Sequence, residues 1–364
     1  MISNGKKYFH KMKKRIILAD VKSVNDKGKC GGHYFSLAQN YIDLYGAECD
    51  VKVAGGPVYE TMFKQEDLFG LPYDSVAGLP EWKQKWLTLK NCRYLFENTT
   101  ADDIIVMQHS AAATFMIGIA LFARRRNKIY VISYDTASIK SVFKRFWYRL
   151  AKRYINGFLC SNEQVANAFG HPYCIVPDYI YAGDASQMQP ISYDKKKYDF
   201  AILGTIWPDK GVVEAARRLA SSPCRVIIGG RASSERIGKE LQDVCRGADN
   251  IDLHLGFVSD EDYAKWMRES RYCLLNYQGT YSERSSGVIL DVLFSGTPVV
   301  GHRCFATQFV EDEGCGYLYD DITSFNPQDV LDIRKYNQYM EGVSHYLAKQ
   351  KVYKQKVLRF LNIK

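Results

Sequence analysis

Short apolar strands alternate with amphipathic helices along this chain, and the alternation begins twice. In the first half, apolar runs predict strands at residues 15–20, 49–53, 103–107, 128–133 and 157–161, and the helical period predicts a helix over 34–45. Strands that are apolar on both faces and separated by helices are typical of parallel sheets covered on both sides. The first half is therefore predicted to be an α/β domain.

The second half repeats the pattern after a polar, proline-containing stretch at 176–197 that we interpret as a linker. Strands are predicted at 198–204, 225–228, 251–255 and 272–275, and helices at 212–220 and 260–268. A chain of 364 residues with 46% hydrophobic content is long enough for two domains of ordinary size. We therefore predict two α/β domains.

Charge and cysteine usage narrow the functional classes only partly. The formal net charge of +9 favours an anionic partner, which leaves nucleic acid, phosphates and anionic lipid open. The ten cysteines have no C-x-x-C spacing, so they indicate reduced core residues of a cytosolic protein and not zinc ligands or a disulfide framework. The basic segment 1–14 lacks the apolar core of a signal peptide, and the apolar run 111–123 is too short to span a bilayer. A cytoplasmic location is expected.

Two carboxylates eight positions apart, Glu283 and Asp291, flank small residues at a predicted helix start. A helix start carries unpaired N–H groups and a partial positive charge, so Ser285, Ser286 and Gly287 can offer amides to a diphosphate. Asp291 is expected about two turns into this helix, where the two carboxylates can accept hydrogen bonds from ribose and sugar hydroxyls. An ordinary helix start with two solvated acids is the alternative.

Four segments in order carry a family resemblance: residues 203–211, 228–230, 256–262 and 283–291. They are similar to the glycine-then-lysine loop, the second glycine turn, the base-binding turn and the acid-x7-acid motif of the retaining nucleotide-sugar glycosyltransferases of family 4. The resemblance implies the GT-B architecture, with two facing Rossmann-like domains and a cleft between them. It implies an acceptor-binding domain at 15–185, a donor-binding domain at 197–335 and a helical segment at 336–364 that crosses back to the first domain.

The resemblance also implies roles for individual residues. Lys210 matches the diphosphate clamp, Glu283 the acid that contacts the transferred sugar, and Asp291 the acid that holds the ribose. The donor-binding set it implies comprises Gly204, Thr205, Lys210, Gly230, Arg231, Phe257, Val258, Ser285, Ser286, Gly287 and Asp291. Two departures stand out: Thr205 occupies the place of a family arginine, for which Arg231 or Arg284 is a substitute, and Asp291 is one methylene shorter than the usual glutamate.

The first half resembles the family less closely. Gly31, Gly32 and His33 match its glycine-rich acceptor loop, although a simple tight turn is an alternative. Asp135 follows Tyr134, which replaces the family's histidine at a strand end, and His109 ends the preceding strand. Asp135 and His109 are therefore the candidates near the reacting sugar, with a packed, helix-capping histidine as the alternative for His109.

Neither a metal nor another cofactor is expected. The acids at 260–262 have the spacing of a metal-binding pair, but they begin a predicted helix, where acids favour the positive end. We therefore interpret them as helix-capping residues.

A basic and aromatic helix over 143–154 has two interpretations. An aromatic stripe (Phe143, Phe146, Trp147, Leu150, Tyr154) lies opposite a set of cations, as in helices that bind anionic bilayers. The favoured interpretation is that this stripe packs into the domain core and the cations are solvated. Arg124–Arg126 and the basic residues of 349–364 add positive surface.

The sequence thus predicts a retaining glycosyltransferase of the cytoplasm, with a peripheral position on the inner face of the membrane as a further hypothesis. It would move a sugar from a UDP- or GDP-linked donor to a hydroxyl of a glycan, which is expected to be lipid-linked, in cell-surface polysaccharide synthesis. The expected partners are this donor, the glycan acceptor and an anionic membrane surface, without nucleic acid. A nucleotide-sugar 2-epimerase of the same architecture and an inactive nucleotide-sugar-binding protein are the alternatives.

Overall fold

The chain folds into two compact units, Met1–Ala182 together with Lys354–Lys364, and Gly183–Tyr353. The structure is a computed structural model that describes residues 13–26, 29–30, 34–76, 78–108, 112–183, 190–282 and 285–363. Among these residues, no helix has both the length and the apolar content needed to cross a membrane.

The first unit is built on an all-parallel sheet of seven strands in the order β10-β9-β8-β7-β1-β4-β5. Its strands are β1 (Arg15–Ala19), β4 (Asp50–Gly55), β5 (Leu68–Gly70), β7 (Ile104–Met107), β8 (Lys128–Ser133), β9 (Ile155–Cys160) and β10 (Tyr173–Ile175). A second, three-stranded sheet contains β2 (Val24–Asp26), β3 (Lys29–Cys30) and β6 (Ser75–Val76). The central strands β1 and β7 are almost wholly buried, as strands covered on both faces must be.

The α-helices between the strands in the described part of this unit are α1 (Tyr34–Tyr45), α2 (Glu81–Asn98), α3 (Ala113–Phe122), α4 (Val142–Ala151) and α5 (Glu163–Phe169). Helix α3 packs against both α2 and α4. The end of the chain belongs to this unit too, since Phe360 packs edge-on against Tyr130 and the Asn362 amide donates to the Tyr130 hydroxyl at 3.2 Å.

The second unit has an all-parallel sheet of six strands in the order β13-β12-β11-β14-β15-β16. The strands are β11 (Tyr198–Leu203), β12 (Val226–Gly230), β13 (Ile251–Leu255), β14 (Ser270–Leu275), β15 (Val299–His302) and β16 (Gly316–Tyr319). The helices are α6 (Val212–Ala220), α7 (Glu235–Cys245), α8 (Asp260–Glu269), α9 (Gly287–Phe294), α10 (Gln308–Asp312) and α11 (Ile333–Phe360), whose last residues are counted with the first unit.

The predicted α/β class with parallel sheets is confirmed, and four predicted elements (34–45, 128–133, 212–220 and 251–255) have the bounds observed for α1, β8, α6 and β13. The expected packing of the whole aromatic stripe of α4 into the core is wrong. Trp147, Leu150 and Tyr154 do pack against the core of the first unit, whereas Phe143 and Phe146 are exposed. The stripe is wider than the face that α4 buries.

Candidate functional site

Three glycines follow three neighbouring strands of the second unit at their carboxyl ends. Gly204 follows β11, Gly230 ends β12 and Gly256 follows β13. Backbone hydrogen bonds join these ends, because the Gly204 N–H donates to Gly229 O at 2.9 Å and the Gly256 N–H donates to Gly230 O at 3.0 Å. Ligands of parallel α/β sheets bind at this edge, which makes it the first place to look for a site.

Gly204 and Gly230 pack so closely that no side chain fits between them. A Cβ on Gly230 would lie 1.9 Å from the Gly204 carbonyl oxygen. Both residues also have positive φ angles, +105° and +155°, which L side chains rarely adopt. The two loops therefore present bare backbone, as a closely approaching phosphate requires.

Lys210 reaches this glycine surface from a tight turn. The turn Pro208–Lys210 precedes Gly211 and the start of α6, and the Lys210 side chain is buried, with 9% of its surface exposed. Its Nζ lies 3.3 Å from the position that a Cβ on Gly204 would occupy. The ammonium group is thus held directly above the bare backbone.

Contacts far apart in sequence hold the Lys210 turn in place. The Asp209 carboxylate accepts hydrogen bonds from the Thr280 backbone N–H at 3.2 Å and from its hydroxyl at 2.6 Å. On the other side of Lys210, the Asn276 amide donates to Gly211 O at 3.0 Å. The turn is therefore attached on both sides to the segment that follows β14.

Asp291 lies on α9 and faces the same region. The helix begins at Gly287, so Asp291 is just over one turn from its start and not two turns as expected. Its side chain is exposed to solvent, yet enough protein surrounds the carboxylate to desolvate it. This desolvation, and then the nearby Asp260 carboxylate, raise the pKa of Asp291 to about 6, while the charge of Lys210 opposes the rise.

The charges of Lys210 and Asp291 both act on a third group, the Cys273 thiol. Burial raises the pKa of the Cys273 thiol to about 12. The charge of Lys210 lowers this pKa, and the charge of Asp291 raises it. The side chain of Val288, in the first turn of α9, lies 3.9 Å from the Cβ position of Gly204. The start of α9 therefore meets the glycine surface beneath Lys210.

The start of α9 lacks the usual side-chain cap. Ser286 occupies the N-cap position in extended conformation, but its hydroxyl shares a 2.8 Å hydrogen bond with the buried Tyr277 hydroxyl and makes no capping bond. The first turn contains no acidic residue. Because the first N–H groups of a helix have no intrahelical acceptor, this end favours an anionic ligand.

The loop after β13 carries an exposed aromatic ring. Phe257 has 90% of its surface exposed, and Val258 beside it is half-buried. Ser259 then caps α8 by accepting from the Asp262 N–H at 3.1 Å, so the acids at 260–262 form the first turn of a capped helix. Within the described parts of the chain, no group of three or more His, Cys, Asp and Glu side chains is arranged to hold a metal.

Thr205 and Arg231 lie on adjacent loops beyond the glycines. The Ile206 N–H donates to Arg231 O at 2.9 Å, so the two loops run side by side. Both side chains are exposed. Arg231 is therefore on the loop beside Thr205, and Thr205 stands where the family that the sequence resembles has an arginine.

One further predicted residue lies in the first unit, and others fall outside the described residues. In the first unit, Asp135 follows β8, and its carboxylate accepts from the Ala137 N–H at 2.7 Å. Glu283, Arg284, Gly31, Gly32, His33 and His109 lie outside the described residues. The structure thus brings Gly204, Lys210, Gly230, Ser286 and Asp291 to one region.

Sequence reasoning did not find the contacts that support the site. Thr280 and Tyr277 were not predicted, because their partners Asp209 and Ser286 are identified only by the folded arrangement. Asp260 was interpreted only as a first-turn acid, although its charge also acts on Asp291. No local pattern in the sequence carries these pairings.

A family model matches part of the chain. The model of the family described as "Glycosyl transferases group 1" matches residues 197–328, all in the second unit. No curated protein sequence matches the chain significantly.

Solved structures resemble almost the whole chain. A sucrose-phosphate synthase from Thermosynechococcus elongatus is 11% identical, with a TM-score of 0.68 over 95% of this chain and 98% of its own. The Anabaena protein HepE in complex with UDP and glucose is 16% identical, with a TM-score of 0.65 over 96% and 99%. A UDP-forming α,α-trehalose-phosphate synthase from Burkholderia xenovorans is 12% identical, with a TM-score of 0.64 over 96% and 99%. The chain therefore has the two-domain, Rossmann-like GT-B fold of glycosyltransferases.

Proposed function

We propose that this protein is a retaining glycosyltransferase that moves a sugar from a UDP- or GDP-linked donor to a hydroxyl of a glycan acceptor. The observation that carries the proposal is the position of the buried Lys210 ammonium above the bare Gly204 backbone, at the start of α9 and within electrostatic reach of Asp291. The match of residues 197–328 to the group 1 family and the UDP complex of a protein with the same fold support it.

The site suits a departing nucleoside diphosphate. Negative charge develops on the leaving diphosphate as the glycosidic bond breaks. Lys210 is held in place by the contacts of Asp209 and Asn276, and the first amides of α9 point toward the same region, so both can stabilise this charge without reorganising. Arg231 supplies a further cation where Thr205 stands in place of the family's arginine. No metal ion has a part in the proposal.

The other donor contacts follow from position. Asp291, when ionised, accepts hydrogen bonds from ribose hydroxyls, and the loop with Phe257 and Val258 lies against the base. Glu283 contacts the transferred sugar by resemblance. In the first unit, Asp135 and His109 act near the reacting sugar, and Gly31, Gly32 and His33 contact the acceptor.

The proposed acceptor is a lipid-linked glycan of cell-surface polysaccharide synthesis, reached from the cytoplasmic side of the membrane. A lipid-linked substrate stays in the bilayer, so the enzyme has to work at the bilayer surface.

A thermal-shift screen with UDP-, GDP-, ADP- and CMP-sugars tests the donor assignment first, because a ligand that binds only the folded state raises its stability. We expect a shift with a UDP- or GDP-sugar that persists in EDTA. Transfer to glycan acceptors with the donor anomer preserved, followed by NMR, then tests the reaction. The absence of any shift contradicts the donor assignment, and isomerisation of the sugar nucleotide without acceptor indicates an epimerase instead.

A further inference from the structure

Five large apolar side chains are exposed at the starts of two helices of the first unit. Trp82 and Trp86 belong to α2, and Val142, Phe143 and Phe146 belong to α4. Their exposed fractions range from 49% for Trp86 to 75% for Val142. Large exposed apolar side chains that cluster usually mark an interaction surface, and we refer to these five residues as the α2/α4 rim.

The topology places both helix starts at the same edge of the sheet. Helices α2 and α4 lead into β7 and β9, which are parallel to their neighbours, so each helix runs back from the carboxyl edge to the amino edge. Asn91 of α2 donates to Val21 O at 3.0 Å, just beyond the end of β1. Trp86 and Trp82, which precede Asn91, therefore project past the sheet by about 7 and 13 Å.

Two of the rim residues on α4 contact the partly buried Trp147. The Trp147 ring packs against the core of the unit and lies edge-on to Phe143 and Phe146, with centroid distances of 6.4 and 5.5 Å. Ser141 caps the helix by accepting from the Lys144 N–H at 3.2 Å. The two exposed rings are thus presented on an ordered helix.

Charge decides what kind of partner fits. Six cations and no acid occur between residues 136 and 162, and three of them, Lys140, Lys144 and Arg145, lie at the start of α4. Arg149 lies farther along α4, and Lys152 and Arg153 follow its end. On α2, the Lys90 ammonium lies 3.5 Å from the centroid of the Trp86 ring. The cations alternate with the apolar rim residues, as in Phe143-Lys144-Arg145-Phe146. Protein interfaces exclude charge from their apolar core, whereas a bilayer takes apolar side chains and meets the cations with its headgroups.

We propose that the α2/α4 rim docks this protein onto an anionic bilayer, with the apolar rim residues among the headgroups and the cations of α4 on lipid phosphates. Helix α3 packs between α2 and α4, so the two contacts are about 16–20 Å apart and define a face, not a point. Docking would bring the carboxyl edge of the first sheet, where Asp135 follows β8, to the membrane surface. The inference that docking serves a lipid-linked acceptor rests on the proposed function, whereas the inference that the protein docks does not.

Co-sedimentation with vesicles tests the proposal. We expect the full chain to sediment with vesicles of phosphatidylcholine and phosphatidylglycerol, to remain unbound with phosphatidylcholine alone, and to dissociate as salt is raised.

Lys140→Ser, Arg145→Ser and Arg149→Ser together should lower the partition coefficient by about 100-fold, since each surface cation contributes roughly fivefold. Phe143→Ser with Phe146→Ser, and Trp82→Ser alone, should each weaken binding while the melting temperature stays near that of the wild type. Lys144 is left unchanged because its ammonium donates to Ala137 O at 2.8 Å.

Matched controls come from outside the rim. Arg236→Ser, Lys239→Ser and Arg246→Ser remove the same charge from exposed positions of the second unit, and Tyr173→Ser with Val352→Ser removes exposed apolar surface. These controls should keep vesicle binding. Absence of sedimentation, equal loss in the controls, or full binding by the rim variants would each overturn the proposal. The thermal shift with UDP- or GDP-sugar on the same samples tests the donor site separately, so the two proposals can fail independently.

Discussion

Two helices of the second unit, α8 and α9, begin in opposite ways. At α8, Ser259 caps the first turn and three acids follow, so the positive helix end is satisfied by the protein itself. At α9, the N-cap Ser286 is engaged with Tyr277, and the first turn contains only apolar residues and glycine. A helix end that the fold has already neutralised cannot serve an anionic ligand, and one left open can. Under the proposed function, this contrast favours α9 over α8 as the helix whose start would bind the diphosphate.

The largest expected effect follows from replacing Lys210, the cation next to the start of α9. Lys210→Ala should lower the turnover number at saturating donor by about 10²- to 10³-fold, the scale on which one preorganised electrostatic group acts. Lys239→Ala on α7 removes an exposed lysine and should leave turnover unchanged. Wild-type turnover in the Lys210 variant would contradict the assignment of α9 as the leaving-group end.

The carboxylate on α9 should matter for the nucleotide itself. Asp291→Ala should weaken UDP or GDP binding by about 1–3 kcal/mol, the value of a hydrogen bond to a charged group. Glu283→Ala should instead remove transfer while leaving free nucleotide affinity largely intact, because Glu283 is assigned to the sugar. Isothermal titration with the nucleoside diphosphate separates the two, and equal losses would show that this division of roles is wrong.

Sequence patterns predicted the parts of this comparison that are local. The helical period of 212–220 and the apolar run of 128–133 each contain the information that fixes their bounds. The pairing of Asp209 with Thr280 joins residues 71 positions apart and leaves no local pattern. Helix α2 was not predicted, because its exposed Trp82 and Trp86 stand among lysines and obscure the polar face. On α4, the period showed which residues share a stripe but not how much of it the domain covers.

Donor affinity should depend on pH through Asp291. With its pKa raised to about 6, this carboxylate is ionised at pH 7.5 and mostly protonated at pH 5, where it no longer accepts from two ribose hydroxyls. Affinity for UDP or GDP should therefore fall by up to about tenfold from pH 7.5 to 5, and Asp291→Asn should flatten the profile.

The stability of the free protein should respond to this group with the opposite sign. The folded-state pKa lies above the usual value of 3.8, so ionised Asp291 opposes folding above pH 6 and this cost is relieved as pH falls toward 4. The difference in melting temperature between wild type and Asp291→Asn should accordingly shrink between pH 7 and 5. An unchanged difference, together with pH-independent affinity in the wild type, would remove Asp291 from the ribose.

The smallest expected effect on donor binding comes from the closed helix end. Ser259→Ala deletes the side chain that accepts from the Asp262 N–H, which should cost about 0.5–2 kcal/mol of unfolding free energy and leave nucleotide affinity unchanged. Ser286→Ala leaves the buried Tyr277 hydroxyl without this partner and releases the start of α9, so it should lower stability and nucleotide affinity together. Denaturant unfolding and UDP or GDP titration on both variants measure the two quantities. If Ser259→Ala weakens the nucleotide as much as Ser286→Ala does, the donor depends on α8 as well, and the division between a closed and an open helix end has to be abandoned.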